Sequence, residues 1–330
     1  MKRVLVIPGD GVGPEVVAAT VQAINALTDQ IEFVTEEAGL ECYNSTGYAL
    51  PIPTLDAMSD CDAILLGSIA ASPETKGYRD PEDEIIRRLN LTTNVRRIKG
   101  LTPALGDPDM NVLIFSNNEN MNSIVEMDDM DGITKQIRMN YHTVRTICTI
   151  ARKNALRYGR KKATCIHGGY MFDADNRFMQ TFYDTMVNSG LEVDSEQINE
   201  SVAQLVTGEM PYEIFVTLES YRKIIGDALA ARIGGTYITA SMDYGGEVAM
   251  FKPDHGPLQK LVDSNSVNPI GSMMSGVMML EFLGFEKESD RLQDAIISCC
   301  KRDYIPKDLG GEYGTYDFAQ QVMKYCENPN

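Results

Sequence analysis

Val4-Leu5-Val6-Ile7-Pro8-Gly9-Asp10-Gly11-Val12-Gly13-Pro14-Glu15-Val16 decides how the rest of the chain is read. Val4 to Ile7 is an apolar run of buried-strand length. Gly9 to Gly13 is a glycine loop. Pro14 then falls at a first helical position, where its missing N–H costs nothing, and Glu15 puts a carboxylate in the first turn, which the helix dipole favours. Val16, Val17, Ala19, Val21, Ile24 and Leu27 continue at helical spacing. A strand, a glycine turn and a helix N-terminus form a corner expected to leave backbone N–H groups free for a ligand. The order Gly9-x-Gly11-x-Gly13 is not the dinucleotide fingerprint G-x-G-x-x-G.

Outward from this corner, strand and helix patterns alternate. Ile31 to Val34 reads as a strand, and Asp62 to Ser68 as a buried strand ending in a glycine turn at Gly67. The alternation predicts an α/β fold with a mainly parallel sheet, whose ligands sit beyond the carboxyl ends of the strands. Both Gly9–Gly13 and Gly67-Ser68-Ile69 fall there. The 330 residues suffice for one large or two ordinary domains. A net charge of −17 leaves no basic field to meet phosphates, which argues against nucleic acid as a partner. The seven cysteines are odd in number and none lies in a C-x-x-C pair, so they read as reduced thiols of a cytoplasmic protein. Met1-Lys2-Arg3 leads into only a short apolar strand, so no signal peptide is expected, and no run reaches membrane-spanning length. His142, His167 and His255 are too scattered for a histidine metal cage.

Further along, Ile124 to Met127 and Ile133 to Met139 flank the acidic turn Asp128-Asp129-Met130-Asp131-Gly132 and read as a hairpin, whose aspartates lack calcium-loop spacing. Val144 to Arg157 carries a helical stripe of Ile147, Ile150, Ala151 and Leu156. Gly271 to Leu283 is a methionine-rich helix, read as core packing.

Several segments together resemble the β-decarboxylating dehydrogenases, the isocitrate/isopropylmalate dehydrogenase family. These are the opening loop, Asn94-Val95-Arg96, Phe251 with Pro253-x-His255-Gly256, Val267-Asn268-Pro269, and Asp308-Leu309-Gly310-Gly311 with Thr315. The resemblance runs from Val4 to about Val322. It implies an isopropylmalate-dehydrogenase-like two-domain fold. One domain would be discontinuous, residues 1–98 plus 252–330, and of nucleotide-binding type. The other, residues 99–251, would be a central dimerisation domain with a short β-arm. It also implies a small-molecule carboxylate as ligand, and a homodimer or a hetero-oligomer with a paralogue. Substrate binding would fall to Arg96, Asn94 and, with a one-residue shift, Arg87; arginine suits the task because its planar fork grips a carboxylate. Gly9, Asp10, Gly11, Val12, His255, Gly256, Lys260 and Asn268 would meet NAD or NADP.

The chain departs from the family where the chemistry is done. The third substrate arginine falls on Phe115 and the catalytic tyrosine on Asn122. The catalytic lysine falls on His167, which can still move a proton near neutral pH. The partner-directed aspartate falls on Asn199. The two metal aspartates of one helix face fall on Lys223 and Asp227, so Asp227 is the only surviving metal position, and magnesium or manganese is not expected to bind. Glu219, Lys223 and Asp227 are spaced for an ion-pair ladder. Alternatively, Lys223 stands in for the metal's charge. Three readings stay open. One is an NAD(P)-dependent oxidoreductase on a small 2-hydroxy acid with a rebuilt, metal-free site that uses His167 and Lys223. Another is a catalytically inactive regulatory or ligand-binding homologue. The third is an ordinary family enzyme whose residues align differently.

Overall fold

The structure, a computed structural model, describes every residue except 73, 119–122, 170–172, 209–212 and 329–330. The first third alternates β1 (Lys2–Ile7), α1 (Gly13–Asn25), β2 (Ile31–Thr35), α2 (Leu40–Thr46), α3 (Ile52–Met58), β3 (Ala63–Leu66) and α4 (Pro81–Arg88). The middle holds β4 (Thr93–Lys99), β5 (Asn111–Asn117), β6 (Ser123–Asp129), β7 (Gly132–Arg138), α5 (Tyr141–Arg157), β8 (Lys162–His167), α6 (Asp173–Met186), β9 (Glu192–Gln197), α7 (Ile198–Thr207), β10 (Ile214–Thr217) and α8 (Glu219–Ala231). The chain closes with β11 (Ala240–Tyr244), β12 (Ala249–Pro253), α9 (Ile270–Phe282), α10 (Glu286–Lys301) and α11 (Thr315–Glu327).

Ten of these strands form one sheet in the order β2-β1-β3-β12-β11-β4-β5-β10-β8-β9; β6 and β7 pair separately as the expected hairpin. The sheet is parallel in two blocks, β2-β1-β3-β12 and β5-β10-β8-β9. Between the blocks, β12, β11, β4 and β5 pair antiparallel. The expectation of a mainly parallel sheet therefore holds at both flanks and gives way at the centre.

That centre positions the site. In register, Lys252 lies opposite Ser241, and Ser241 opposite Arg96. Side chains alternate along a strand, so Asn94, Arg96, Ser241, Asp243, Lys252 and Asp254 share one face. Val95, Arg97, Met242 and Tyr244 share the other. The first face carries a polar network. The second packs into an apolar cluster through Val95, Leu113 and Phe115.

Helix α9 is buried along almost its whole length between α1, α10 and the sheet, so its methionines pack the core as read. Phe115 is fully buried against the second face, opposite Val95, with Phe178 and Phe182 in the same cluster. Phe115 is thus a core position facing away from the polar network. Phe115→Ala should lower unfolding free energy by about 3–5 kcal/mol, measured by denaturant titration.

Candidate active-site cleft

A cleft of about 370 Å³ opens over the polar face. Its floor is the central strands. Gly67-Ser68 at the end of β3 and His255-Gly256 after β12 form one wall, α4 a second and α8 a third. Helix α4 is shaped for this. Asp80 caps it, accepting a bond from the Glu82 N–H at 2.9 Å, Pro81 opens it, and Glu82 to Glu84 fill its first turn, an acidic placement the helix dipole favours. Asp80, Glu82 and Asp83 line the cleft. Burial, followed by repulsion from Glu82 and Asp83, pushes Asp80 up to about 6.

On the floor, Lys252 is largely buried and pairs with Asp243 at 3.0 Å and with Glu82. Burial alone would depress its ammonium. Asp243 and Glu82 outweigh that and hold it above the ordinary lysine range. Asp243 is fully buried; burial opposes its charge, but Lys252, the Asn94 amide and Arg222 keep it below the usual carboxylate range. Asn94 donates to Asp243 at 2.7 Å. Arg96 is 4% exposed and bound by two acids, Asp227 at 2.8 Å and Asp254 at 2.9 Å, with Thr239 Oγ1 accepting at 3.3 Å. Ser241 donates to Asp254.

Arg96, Lys223, Asp227, His255 and Gly256 are thus brought together on the cleft. Other expected site residues are not. Arg87 is exposed on the outer side of α4 and pairs with Glu84 at 2.6 Å, because α4 turns Glu82 and Asp83 to the cleft and its arginines to solvent. Asn94 is committed to Asp243, below the cleft surface. His167 is buried at the end of β8, where its Nδ1 accepts the Gly169 N–H at 3.1 Å; it does not line this cleft. The ion-pair ladder on α8 does not form. Asp227 is drawn to Arg96 and Glu219 pairs with Arg222 at 3.8 Å, leaving Lys223 exposed with no ion pair among the described residues. Asn122 lies outside the described residues.

The glycine corner also differs from expectation, because the chain itself fills it. The Asp10 N–H donates to Ser68 O at 2.7 Å, Val12 to Pro257 O at 2.9 Å and Gly13 to Asp10 O at 3.0 Å, while Gly11 donates to Glu41 Oε1 at 3.3 Å. The buried Asp10 carboxylate accepts from Leu40, Glu41 and Ala70 N–H groups. Gly9 (φ +76°) and Gly11 (φ +61°) are required: a Cβ at Gly11 would stand 2.0 Å from Pro257 O. The loop therefore clamps α2 and the His255–Pro257 loop rather than presenting a free anion nest. Asn268 is likewise used within the chain, donating to Asp308 at 3.2 Å and accepting from the Ile270 N–H at 2.9 Å. Lys260 is exposed in the turn beyond the cleft.

The donor set argues for some ligands over others. No group of three or more acid, histidine or cysteine side chains among the described residues is placed to hold a metal ion. Lys223 and Lys252 line the cleft beside Asp227, and Asp227 is paired with Arg96. His255 lines the same cleft. Burial keeps that imidazole below the ordinary histidine range, its Nε2 is buried without a hydrogen-bond partner, and a Cβ at Gly256 would meet open space.

A profile of the family described as "Isocitrate/isopropylmalate dehydrogenase" matches residues 3–322. This chain belongs to that family. It is 27% identical to a homoisocitrate dehydrogenase of Methanocaldococcus jannaschii, over 98% of both chains. It is 28% identical to a 3-isopropylmalate dehydrogenase of Methanothermobacter thermautotrophicus, over 99% of both. A mitochondrial NAD-type isocitrate dehydrogenase catalytic subunit of Arabidopsis thaliana is 28% identical, over 98% of this chain and 88% of that one. The crystal structure of isocitrate dehydrogenase from Methylococcus capsulatus superposes with a TM-score of 0.91 at 24% identity, over 99% of this chain and 100% of that one, and shares the fold. No helix among the described residues is long and apolar enough to cross a membrane.

Sequence reading missed Asp80, Glu82, Arg222, Asp243, Lys252 and Asp254. A signal was available for three of them. Ser-Met-Asp-Tyr at 241–244 and Lys-Pro-Asp at 252–254 alternate with period 2, placing charged residues on one strand face. For Asp80, the folded proton affinity is raised, so its contribution to stability is present below its unfolded value near 4 and is lost as pH rises through about 6. Asp80→Asn keeps a good helix cap but removes the ionisation. Its melting temperature relative to the parent should rise between pH 4 and pH 6 and then level off. A pH-independent difference in scanning calorimetry would refute the shift.

Proposed function

We propose that this chain is an NAD- or NADP-linked oxidoreductase of a small 2-hydroxy carboxylic acid, whose cleft uses its own cations where a divalent metal would otherwise sit. The observation that carries this is Lys223, an ammonium with no ion pair among the described residues, on the cleft wall one helical turn from Asp227. Its charge is available to a substrate carboxylate, whereas Arg96 is already held by two acids. Lys223 would grip the carboxylate, with Arg222 beside it. Asp80, pushed up to about 6, is poised to accept the hydroxyl proton near neutral pH. His255 and Gly256 would border the nucleotide, which takes the hydride from the alcohol carbon when bound. The proposal carries with it the division into residues 1–98 plus 252–330 and residues 99–251, and pairing through the hairpin into a homodimer or with a paralogue.

A second reading is a ligand-binding or regulatory subunit without turnover. The double clamp on Arg96 and the internally filled glycine corner favour it.

Calorimetric titration with NAD and NADP, with and without Mg²⁺, separates these readings, combined with absorbance at 340 nm during turnover of malate and related 2-hydroxy acids. The proposed enzyme binds a nucleotide and turns over without metal, and Lys223→Ala weakens acid binding by about tenfold or more. Binding without turnover selects the second reading. A requirement for Mg²⁺ contradicts both and points to an ordinary family site.

A further inference from the structure

A larger cavity, about 520 Å³, lies on the opposite face of the same central strands. The alternation that sends Arg96 into the front cleft sends Arg97 into this one. It is walled by α5 and α9 and floored by β4, β5 and β11.

Its charge is unlike that of the rest of the chain. On a protein of net charge −17, four cations line it, Arg97, Lys153, Arg157 and Arg160, against a single acid, Glu281. Glu281 is divided: it pairs with Arg97 at 3.3 Å and accepts from the Tyr158 hydroxyl. Arg157 reaches only an exposed acid outside the cavity, Glu286 at 3.5 Å. Lys153 is exposed with no ion pair among the described residues. Arg160 is half-buried, and its Nε is buried without a hydrogen-bond partner. Burial works against its charge more than the nearby Glu213 supports it, and Arg97 opposes it further; Lys99 is depressed by burial and by the same two arginines. Such an excess of partly desolvated positive charge is costly unless an anion meets it.

Apart from Asn111 and Asn154, the rest of the lining is mainly apolar. Tyr244 and Phe282 meet edge-to-face at 6.1 Å between ring centres, and Met242 and Met278 lie beside them. A lining that combines cations with rings and thioethers suits a molecule of mixed polarity, and the volume lies within the range of small-ligand sites.

We infer that this back cavity binds a small organic anion with a planar apolar body, a ring bearing a phosphate or carboxylate. The site is separate from the front cleft and does not depend on the reaction proposed there. Because α5 and α9 form its opposing walls and β4 and β11 its floor, an occupant bridges these elements and rests on the strands that carry Arg96 and Asp243.

The test uses the whole purified chain and the fluorescent probe 8-anilinonaphthalene-1-sulfonate, whose flat naphthalene bears a fixed negative charge. Saturable binding is expected, weakening with added salt. Arg160→Met should reduce affinity by about tenfold. Lys153→Glu, at an exposed position that carries no fold, should reduce it in the same direction. Adenosine monophosphate and benzoate serve as competitors that distinguish a phosphate source from a carboxylate source, and displacement by either supports the site. Binding unchanged in both variants, or displacement by inorganic phosphate as effective as by the ring-bearing anions, would overturn it.

Discussion

The structure around the cleft depends on one buried charge. Lys252 carries an ammonium into the centre of the sheet, where an unpaired cation would be prohibitive. Its neighbours are arranged to meet it: Asp243 from the adjacent strand and Glu82 from the first turn of α4. Asn94 steadies Asp243 from the next strand over. A single cation thereby ties β12, β11, β4 and α4 together and fixes where α4 stands. That in turn decides that Asp80 and Asp83 face the cleft and Arg87 does not.

The same economy governs Arg96. It lies in the cross-strand row with Lys252 and Ser241, and the chain supplies two carboxylates to hold it. Asp227 acts here as an arginine partner. Under the proposed function, a substrate carboxylate would meet Lys223 first and would have to displace Asp227 to reach Arg96. The cleft is mixed in sign, with acids on α4 and cations on α8, so orientation of a bound acid follows from charge as well as shape.

Much of this architecture was legible before any coordinates. The apolar run, glycine turn and Pro14-Glu15 helix start identified β1 and α1. The methionine-rich segment reads as core because a methionine stripe more often packs than binds a cofactor, and α9 is buried nearly all round. The hairpin followed from its acidic turn. What sequence could not supply was pairing across long separations. Glu82 and Lys252 are 170 residues apart, and Asn94 and Asp243 are 149 apart. Local spacing favoured the Glu219–Lys223–Asp227 ladder, but tertiary partners, Arg96 above all, outcompeted it. The glycine corner misled for a similar reason: its N–H groups are open in the local motif and are filled by Ser68, Glu41 and Pro257 from distant segments.

A double-mutant cycle at Lys252 and Asp243 tests the central claim most directly. Removing one partner strands the other charge in the interior, so Lys252→Met and Asp243→Leu should each destabilise the fold by about 3–5 kcal/mol. The double variant should recover much of that loss, giving a coupling energy well beyond that of an exposed ion pair. Single variants that lose little, or losses that simply add in the double variant, would contradict the view that this buried pair organises the site.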